Sequence, residues 1–308
     1  MSTTKEIKNR IKSVKDTQKI TNAMYLIAST KLRKAKSELD LTRPYFTALQ
    51  DEIKRIFRTS DEVESKYFYP PTGEHDLPGS YGYLVITADK GLAGAYNQNV
   101  IKKAMQLMSE HKDPKLFVVG EYGRHYFTSH NIPIEQSFLY TAQNPTVSRA
   151  RIISDILLDR FDRGELAKIY VIYTDMHSTV DSEAVATRLL PFHRADFIVL
   201  DSHEKKIKVP FEFQPSMETV LDNVVPSYVT GFVYSALIDS FCSEQNARMN
   251  AMDSANRNAQ KLLDELSTQY NHIRQGAITQ EITEVAAGAK SMKRKAKQNQ
   301  NKGGATLS

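Results

Sequence analysis

IKNRIKSVKDTQKITNAMYLIASTKLRKAKSEL, from Ile7 to Leu39, decides the architecture. A seam runs through Ile7, Ile11, Val14, Gln18, Thr21, Tyr25, Ala28, Leu32, Ala35 and Leu39, in steps that alternate four and three, the coiled-coil period. No Pro or Gly interrupts Thr3 to Arg43, so the pattern predicts a helix of about 40 residues, on the order of 60 Å long. A helix of that length needs a partner along its side. Pro44 is expected to bend or end it, although Tyr45, Leu49, Ile53 and Ile56 keep a helical spacing beyond.

The partner stands at the other end of the chain. From Ser227 to Gln275 the only Pro or Gly is Gly231, and a second seam reads Leu237, Phe241, Gln245, Arg248, Met252, Ala255, Ala259, Leu262, Leu266, Gln269 and Ile273, then Gly276 with Ala277. Ala247, Ala251, Ala255 and Ala259 would let a neighbouring backbone approach closely. The reading is two terminal helices, 1–58 and 216–289, paired as an antiparallel coiled coil, followed by a basic tail, 290–308, whose composition is that of a disordered end.

Between the helices, after the turn-rich YPPTGEHDLPGS of Tyr69 to Ser80, residues 78–205 read as a Rossmann-like α/β domain. Tyr81 to Ala88, Lys115 to Gly120 and Lys168 to Thr174 read as strands, and Gln98 to Ser109 and Val147 to Arg163 as helices. Such alternation implies a mainly parallel sheet. Asp196 to Leu200 is one further candidate strand, and Lys205 to Phe213 carries no clear period.

Candidate chemistry is sparse. The loop ADKGLAGAYN, Ala88 to Asn97, follows the first strand and holds Asp89, Lys90, Gly91 and Gly94 where doubly wound folds place ligand loops. It lacks the Gly-Lys-Ser/Thr ending of a phosphate loop and the third glycine of a dinucleotide loop, which leaves a tight strand-to-helix turn as the stronger reading and a nucleotide-dependent enzyme using Asp89 to Asn97 as the alternative. The eight histidines show no metal-ligand spacing, and no serine sits in a Gly-x-Ser-x-Gly elbow. Cys242 cannot form an internal disulfide and reads as a structural thiol on an amphipathic helix. No cofactor is expected.

Composition sets further bounds. The chain has 308 residues, 41% of them hydrophobic, and a net charge of +5 with basic residues gathered at both ends, a distribution suited to acidic partners. No apolar stretch approaches the roughly 20 residues that span a bilayer, so membrane association is expected to be peripheral. The basic amino terminus has no apolar leader run, which predicts a chain working on the cytoplasmic side.

IKSVKDTQKITNAMYLIASTKLRKAK, SEQNARMNAMDSANRNAQKLLDELSTQYNHIRQGAITQEITEVAAGA and ITADKGLAGAYN together resemble the gamma subunit of F-type ATP synthase. The resemblance implies a non-catalytic central rotor. Its terminal helices would turn inside a ring of three alpha and three beta subunits, and its α/β domain would lie outside, near the epsilon subunit and the membrane c-ring. Ion flow through the c-ring would drive ATP synthesis, or be driven by hydrolysis, on the beta subunits. It further implies ring contacts at Met24, Lys31, Arg33, Lys34, Arg274, Gln275, Thr279 and Glu281, and c-ring or epsilon contacts at Phe211, Phe213 and Gln214. The expected location is the cytoplasmic face of a bacterial inner membrane, reached only through the complex, with no nucleic acid partner. Three departures stand out: Ala93 where the family often has Cys, Gln214 where an acid is common, and a chain that runs past the usual end at Gly288 to Ala289.

Overall fold

The computed structural model describes residues 4–59, 65–69, 77–139, 141–176, 182–193, 197 and 213–303, with the backbone alone at 58, 59 and 294–303. Helix α1 (Thr4–Thr59) is continuous over 56 residues with Pro44 inside it. Proline removes one N–H and one helical hydrogen bond. The helix nevertheless continues because Ile53, Ile56 and Phe57, nine to thirteen residues further on, are buried. Pro44 therefore does not end α1.

Helix α5 (Met217–Gly303) has 87 residues and includes Pro226. Ser216 caps its start, its Oγ accepting from the Thr219 N–H at 3.2 Å. At its other end the helix runs on through Lys290–Gly303, where composition predicted disorder. The reason is propensity: Lys, Arg, Met, Ala and Gln all favour a helix, and Lys290 to Lys302 has no Pro or Gly.

The chain divides into two compact units. The first comprises Met1–Met24 and Met252–Ser308. Here Ile7, Met252, Leu263 and Leu266 are buried. Ile11, Val14, Gln18 and Thr21 are half-buried. The polar seam positions are paired across the helices: Gln18 Nε2 donates to Gln260 Oε1 at 3.4 Å, and the Thr21 hydroxyl donates to Asn256 Oδ1. Every residue from 274 to 293 is exposed, so the seam expected to continue through Gly276 and Ala277 stops at Ile273. Replacing both partners of a long polar pair with apolar side chains removes a desolvation cost and adds apolar contact. Gln18→Leu with Gln260→Leu is expected to add ~1 kcal/mol and raise the melting temperature by a few degrees. Calorimetry of the full chain checks this, and a lowered transition would show that the pair stabilises the fold.

The second unit, Tyr25–Ala251, holds the sheet. Its elements are β1 (Ser80–Ile86), α2 (Tyr96–Ser109), β2 (Pro114–Val119), α3 (Glu121–Ser129), β3 (Gln136–Phe138), α4 (Val147–Asp162), β4 (Leu166–Met176) and β5 (Ser182–Leu190). The order across the sheet is β3-β2-β1-β4-β5, parallel except for β5, which pairs antiparallel with β4. Alternate residues face opposite layers. Leu84, Ile86, Phe117, Val119, Val171 and Tyr173 join α1, α4 and α5 in the larger core. Tyr83, Val85, Leu116, Val118 and Ile172 join α2 and α3 in the smaller one. Within the larger core Leu32, Ala35 and Leu39 of α1 gather with Leu237, Ile238 and Phe241 of α5. The Phe46 ring covers Gly231 and lies 6.0 Å from the Tyr234 ring.

The three strands and two helices expected of the middle segment all form. The elements α3, β3 and β5 are additions. Of the candidate strand Asp196 to Leu200 only Phe197 lies within the described residues, and of Lys205 to Phe213 only Phe213.

Candidate functional site

The crest of the sheet, where β1 and β2 end, carries a densely bonded loop. Thr87 Oγ1 donates to the Val119 carbonyl at 2.9 Å and accepts from the Gly123 N–H at 3.0 Å. These bonds bring the ends of β1 and β2 close together, with Gly120 (φ 96°) at the crossing. From there Asp89 to Asn97 leaves β1. Asp89 Oδ1 accepts from the Glu121 N–H at 3.0 Å, at the start of α3, and Asn97 Oδ1 accepts from the Ala88 N–H at 2.9 Å. The positive-φ residues of the loop are Leu92 (64°) and Gly94 (56°), whereas Gly91 is not among them. Leu92 is a large apolar residue held in a left-handed conformation while 64% exposed.

One face of α5 grips this loop. Ser240, Glu244, Ala247 and Arg248 recur at helical spacing. Ala247 packs on Ala88, Ala93 and Tyr96. Tyr96 is buried on this face, and complete burial pushes its phenol far up. Arg248 Nη2 donates to the Gly91 carbonyl at 3.1 Å, and Arg248 Nη1 donates to Glu244 Oε1 at 2.5 Å. Glu244 is only 6% exposed. Its carboxyl is pushed above the usual range by burial, with the charge of Asp89 adding to the effect and the Arg248 guanidinium opposing it.

This polarity is the reverse of an anion cradle. A phosphate loop converges N–H donors on its ligand. Here the loop offers carbonyl oxygens to a guanidinium, and a carboxylate faces an N–H. Two surface grooves of about 280 and 450 Å³, lined respectively by residues such as Tyr234 and Thr146 and by Met105 and Tyr126, include no residue of Asp89 to Asn97. Among the described residues no cluster of His, Cys, Asp and Glu could hold a metal ion.

The other sequence-derived positions are dispersed. Met24 is half-buried on α1. Lys31, Arg33 and Lys34 are exposed. Lys34 Nζ lies 3.7 Å from Glu38 Oε1, an exposed pair worth little to stability. Arg274, Gln275, Thr279 and Glu281 are exposed on α5, with Thr279 Oγ1 donating to the Gln275 carbonyl at 2.9 Å. Phe213 packs at the margin of the larger core, Gln214 is exposed, and Phe211 lies outside the described residues. The loop positions Asp89, Lys90 and Gly91 are thus brought together with α5, and the 274–281 set is brought to no other part of its unit.

Glu244 and Arg248 were not nominated from sequence. Two signals mark them: Arg248 occupies a seam position where an apolar residue is expected, and Glu244 stands four residues before it, the spacing of a helical ion pair.

Cys242 is 2% exposed, and burial, aided by the charge of Asp239, pushes its thiol up to about 12. Because the thiolate is the nucleophile, the native chain is expected to resist maleimide at neutral pH and to react only after unfolding. Mass spectrometry before and after denaturant checks this. Rapid labelling of the native chain would contradict it.

Long helices α1 and α5, and a single α/β sheet domain whose loop is bonded to α5 rather than open to a ligand, define a scaffold class of protein. The comparisons with known proteins specify it. A family model described as ATP synthase matches residues 3–292. The ATP synthase gamma chain of Acetivibrio thermocellus is 40% identical over 292 residues, covering 94% of this chain and 98% of the relative. The sodium ion specific gamma chain of Acetobacterium woodii is 35% identical over 300 residues, covering 93% and 98%. A chain in the OSCP/F1/c-ring structure of Euglena gracilis mitochondrial ATP synthase shares the fold, with a TM-score of 0.65 at 16% identity over 94% of each chain. This chain belongs to the ATP synthase gamma chain family.

Proposed function

We propose that the chain is the central rotor shaft of an F1Fo ATP synthase, coupling ion flow through the c-ring to ATP synthesis or hydrolysis on the beta subunits without catalysis of its own. The observation that carries the reading is the pair of long helices whose seam residues meet at Gln18 with Gln260 and Thr21 with Asn256 while α5 continues, exposed from Arg274 to Lys293, beyond them. We read the pair as an antiparallel coiled coil. A shaft with different side chains on each face biases three identical ring partners in turn, because each binds a different surface.

On this reading Met24, Lys31, Arg33 and Lys34 on α1, and Arg274, Gln275, Thr279 and Glu281 on α5, meet the alpha and beta ring. The Lys90 loop adds a contact from the sheet crest. The segment with Phe213 and Gln214 serves the epsilon and c-ring side, and Gln214 weakens an ionic contact where an acid would strengthen it. Among the described residues no helix is long and apolar enough to cross a membrane. Membrane association then comes through the complex, at the cytoplasmic face of a bacterial inner membrane.

Reconstitution tests the proposal. The full chain alone is expected to hydrolyse no ATP. Mixed with the alpha and beta subunits of its own organism, it should co-purify in a three-fold ring and confer rotation under ATP. A chain that never associates with the ring would refute the rotor role.

A further inference from the structure

The loop Asp89 to Asn97 combines two features that pull against each other: an exposed, strained tip and a deeply engineered base. Leu92 holds a left-handed backbone with most of its side chain in solvent. Such a conformation is strained and persists only where surrounding structure imposes it. On the α5 side, the imposing groups are Arg248, bonded to the Gly91 carbonyl at 3.1 Å, and Glu244, which orients that guanidinium at 2.5 Å. The Lys90 carbonyl lies 3.5 Å from the same Nη2. Tyr96 closes the other end of the loop through its apolar contact with Ala247.

We propose that Arg248, oriented by Glu244, is a positioning residue that locks the Lys90 to Leu92 tip to α5, so that the tip moves with the helix as one body. The functional half of this statement rests on the rotor reading: a tip that lags behind its helix would present Lys90 and Leu92 to a partner out of phase with the shaft.

The groups surrounding the pair are consistent with a lock. Glu244 bonds Arg248 on its own helix, and the charges of Asp89 from the loop and Lys31 from α1 act on the same carboxyl. The guanidinium is thus held by the Glu244 carboxyl on one side and by the Gly91 carbonyl on the other. A buried, charge-assisted arrangement is stiffer than a neutral hydrogen bond, and losing one member leaves the others uncompensated. Leu92 and Gly94 have no comparable hold. Nothing approaches within 4 Å of a Cβ built at Gly94.

The Lys90–Gly91 peptide is itself a tryptic site, which makes the lock measurable in the free full-length chain. Cleavage requires local opening, and its rate follows the population of the opened form. Arg248→Met should speed appearance of the 1–90 fragment at least about fivefold relative to the parent, with Arg248→Lys and Glu244→Gln in between. In the reconstituted membrane complex, Arg248→Met should lower ion-driven ATP synthesis several-fold while Arg248→Lys recovers part of it. An unchanged cleavage rate in an Arg248→Met chain that melts like the parent overturns the lock, whatever the rotor role. Faster cleavage with wild-type synthesis overturns the positioning role while leaving the rotor reading intact. Should Arg248→Met fail to fold, the same two measurements on Arg248→Lys and Glu244→Gln decide the matter by the same criteria. If the parent chain itself fails to restore coupling, the rotor reading falls and the proteolysis result still stands.

Discussion

Gly120→Ala is expected to cost about 4 kcal/mol or more, enough to unfold a domain of ordinary stability. The residue sits at φ 96°, where L side chains are strained. The larger obstacle is space. A Cβ there would stand 2.2 Å from the Thr87 carbonyl oxygen and 2.7 Å from that of Ala88. Both are backbone atoms at the crest of β1, and neither can rotate away as a side chain would. Thr87 accepts no displacement cheaply, because its N–H and hydroxyl both bond the Val119 carbonyl at 2.9 Å. Ala88 is tied through its carbonyl to the Tyr122 N–H at 3.1 Å. Overpacking of ~1–3 kcal/mol thus adds to backbone strain of ~1–3 kcal/mol. Urea denaturation of the full chain measures the loss. A variant within ~1 kcal/mol of the parent would show that the strand crossing yields more easily than its bonding implies.

Gly231→Ala is expected to cost ~2 kcal/mol for a related reason with an opposite remedy. Its Cβ would lie 2.0 Å from Phe46 Cδ1 and 2.5 Å from Cε1, so the aromatic ring must leave its place. That ring is hemmed by Tyr45 at 5.3 Å and Tyr234 at 6.0 Å. Because the clash is with a side chain, it can be removed. In a Phe46→Ala background the same substitution should become stabilising by ~0.5–1 kcal/mol, since alanine is the better helix former once the space is open. A double-mutant cycle reads this reversal of sign directly. If Gly231→Ala costs the same in both backgrounds, the glycine is required for something other than the ring.

The two helices were legible because their information is periodic. Ile7, Leu32, Ala35 and Leu39 are all buried as the seam requires, and the signal accumulates over many turns. Pro44 was a weaker guide, since burial of Leu39 before it and of Ile53 and Ile56 after it outweighs one lost hydrogen bond. The elements that escaped are short or mixed in pattern. Helix α3 has nine residues, with Gly123 among them and low apolar content. Strand β5 has the half-exposed sequence SEAVATRLL, whose alanines and charges suit an edge but give no clear alternation.

The loop was found from its glycines, but its bonding was not. Gly94 needs positive φ, and the second such residue is Leu92, where residue type gives no warning. The contact of Arg248 with Gly91 joins positions 157 apart in sequence. Nothing local encodes such a contact except the oddity of an arginine in an apolar seam. Ala247 shows the same limit: its small side chain was expected to admit a close neighbour, but that the neighbour is Ala93 and Tyr96 is not written in the seam.

Helix α5 also carries a gradient of local stability along one unbroken backbone. Around Val225 to Gln245 it is buried, around Met252 to Leu266 it buries one stripe, and beyond Ile273 it rests on its own hydrogen bonds and on pairs such as Gln280 with Glu284 at 3.0 Å. Isolated helices of modest length are marginal in water, because propagation gains little per residue. The last turns therefore melt first, and melting spreads inward until packing stops it. On the rotor reading proposed above, the ring around that end supplies part of the free energy that orders it, and a sleeve that spends binding energy on ordering holds weakly for its contact area, which would let a shaft turn within it.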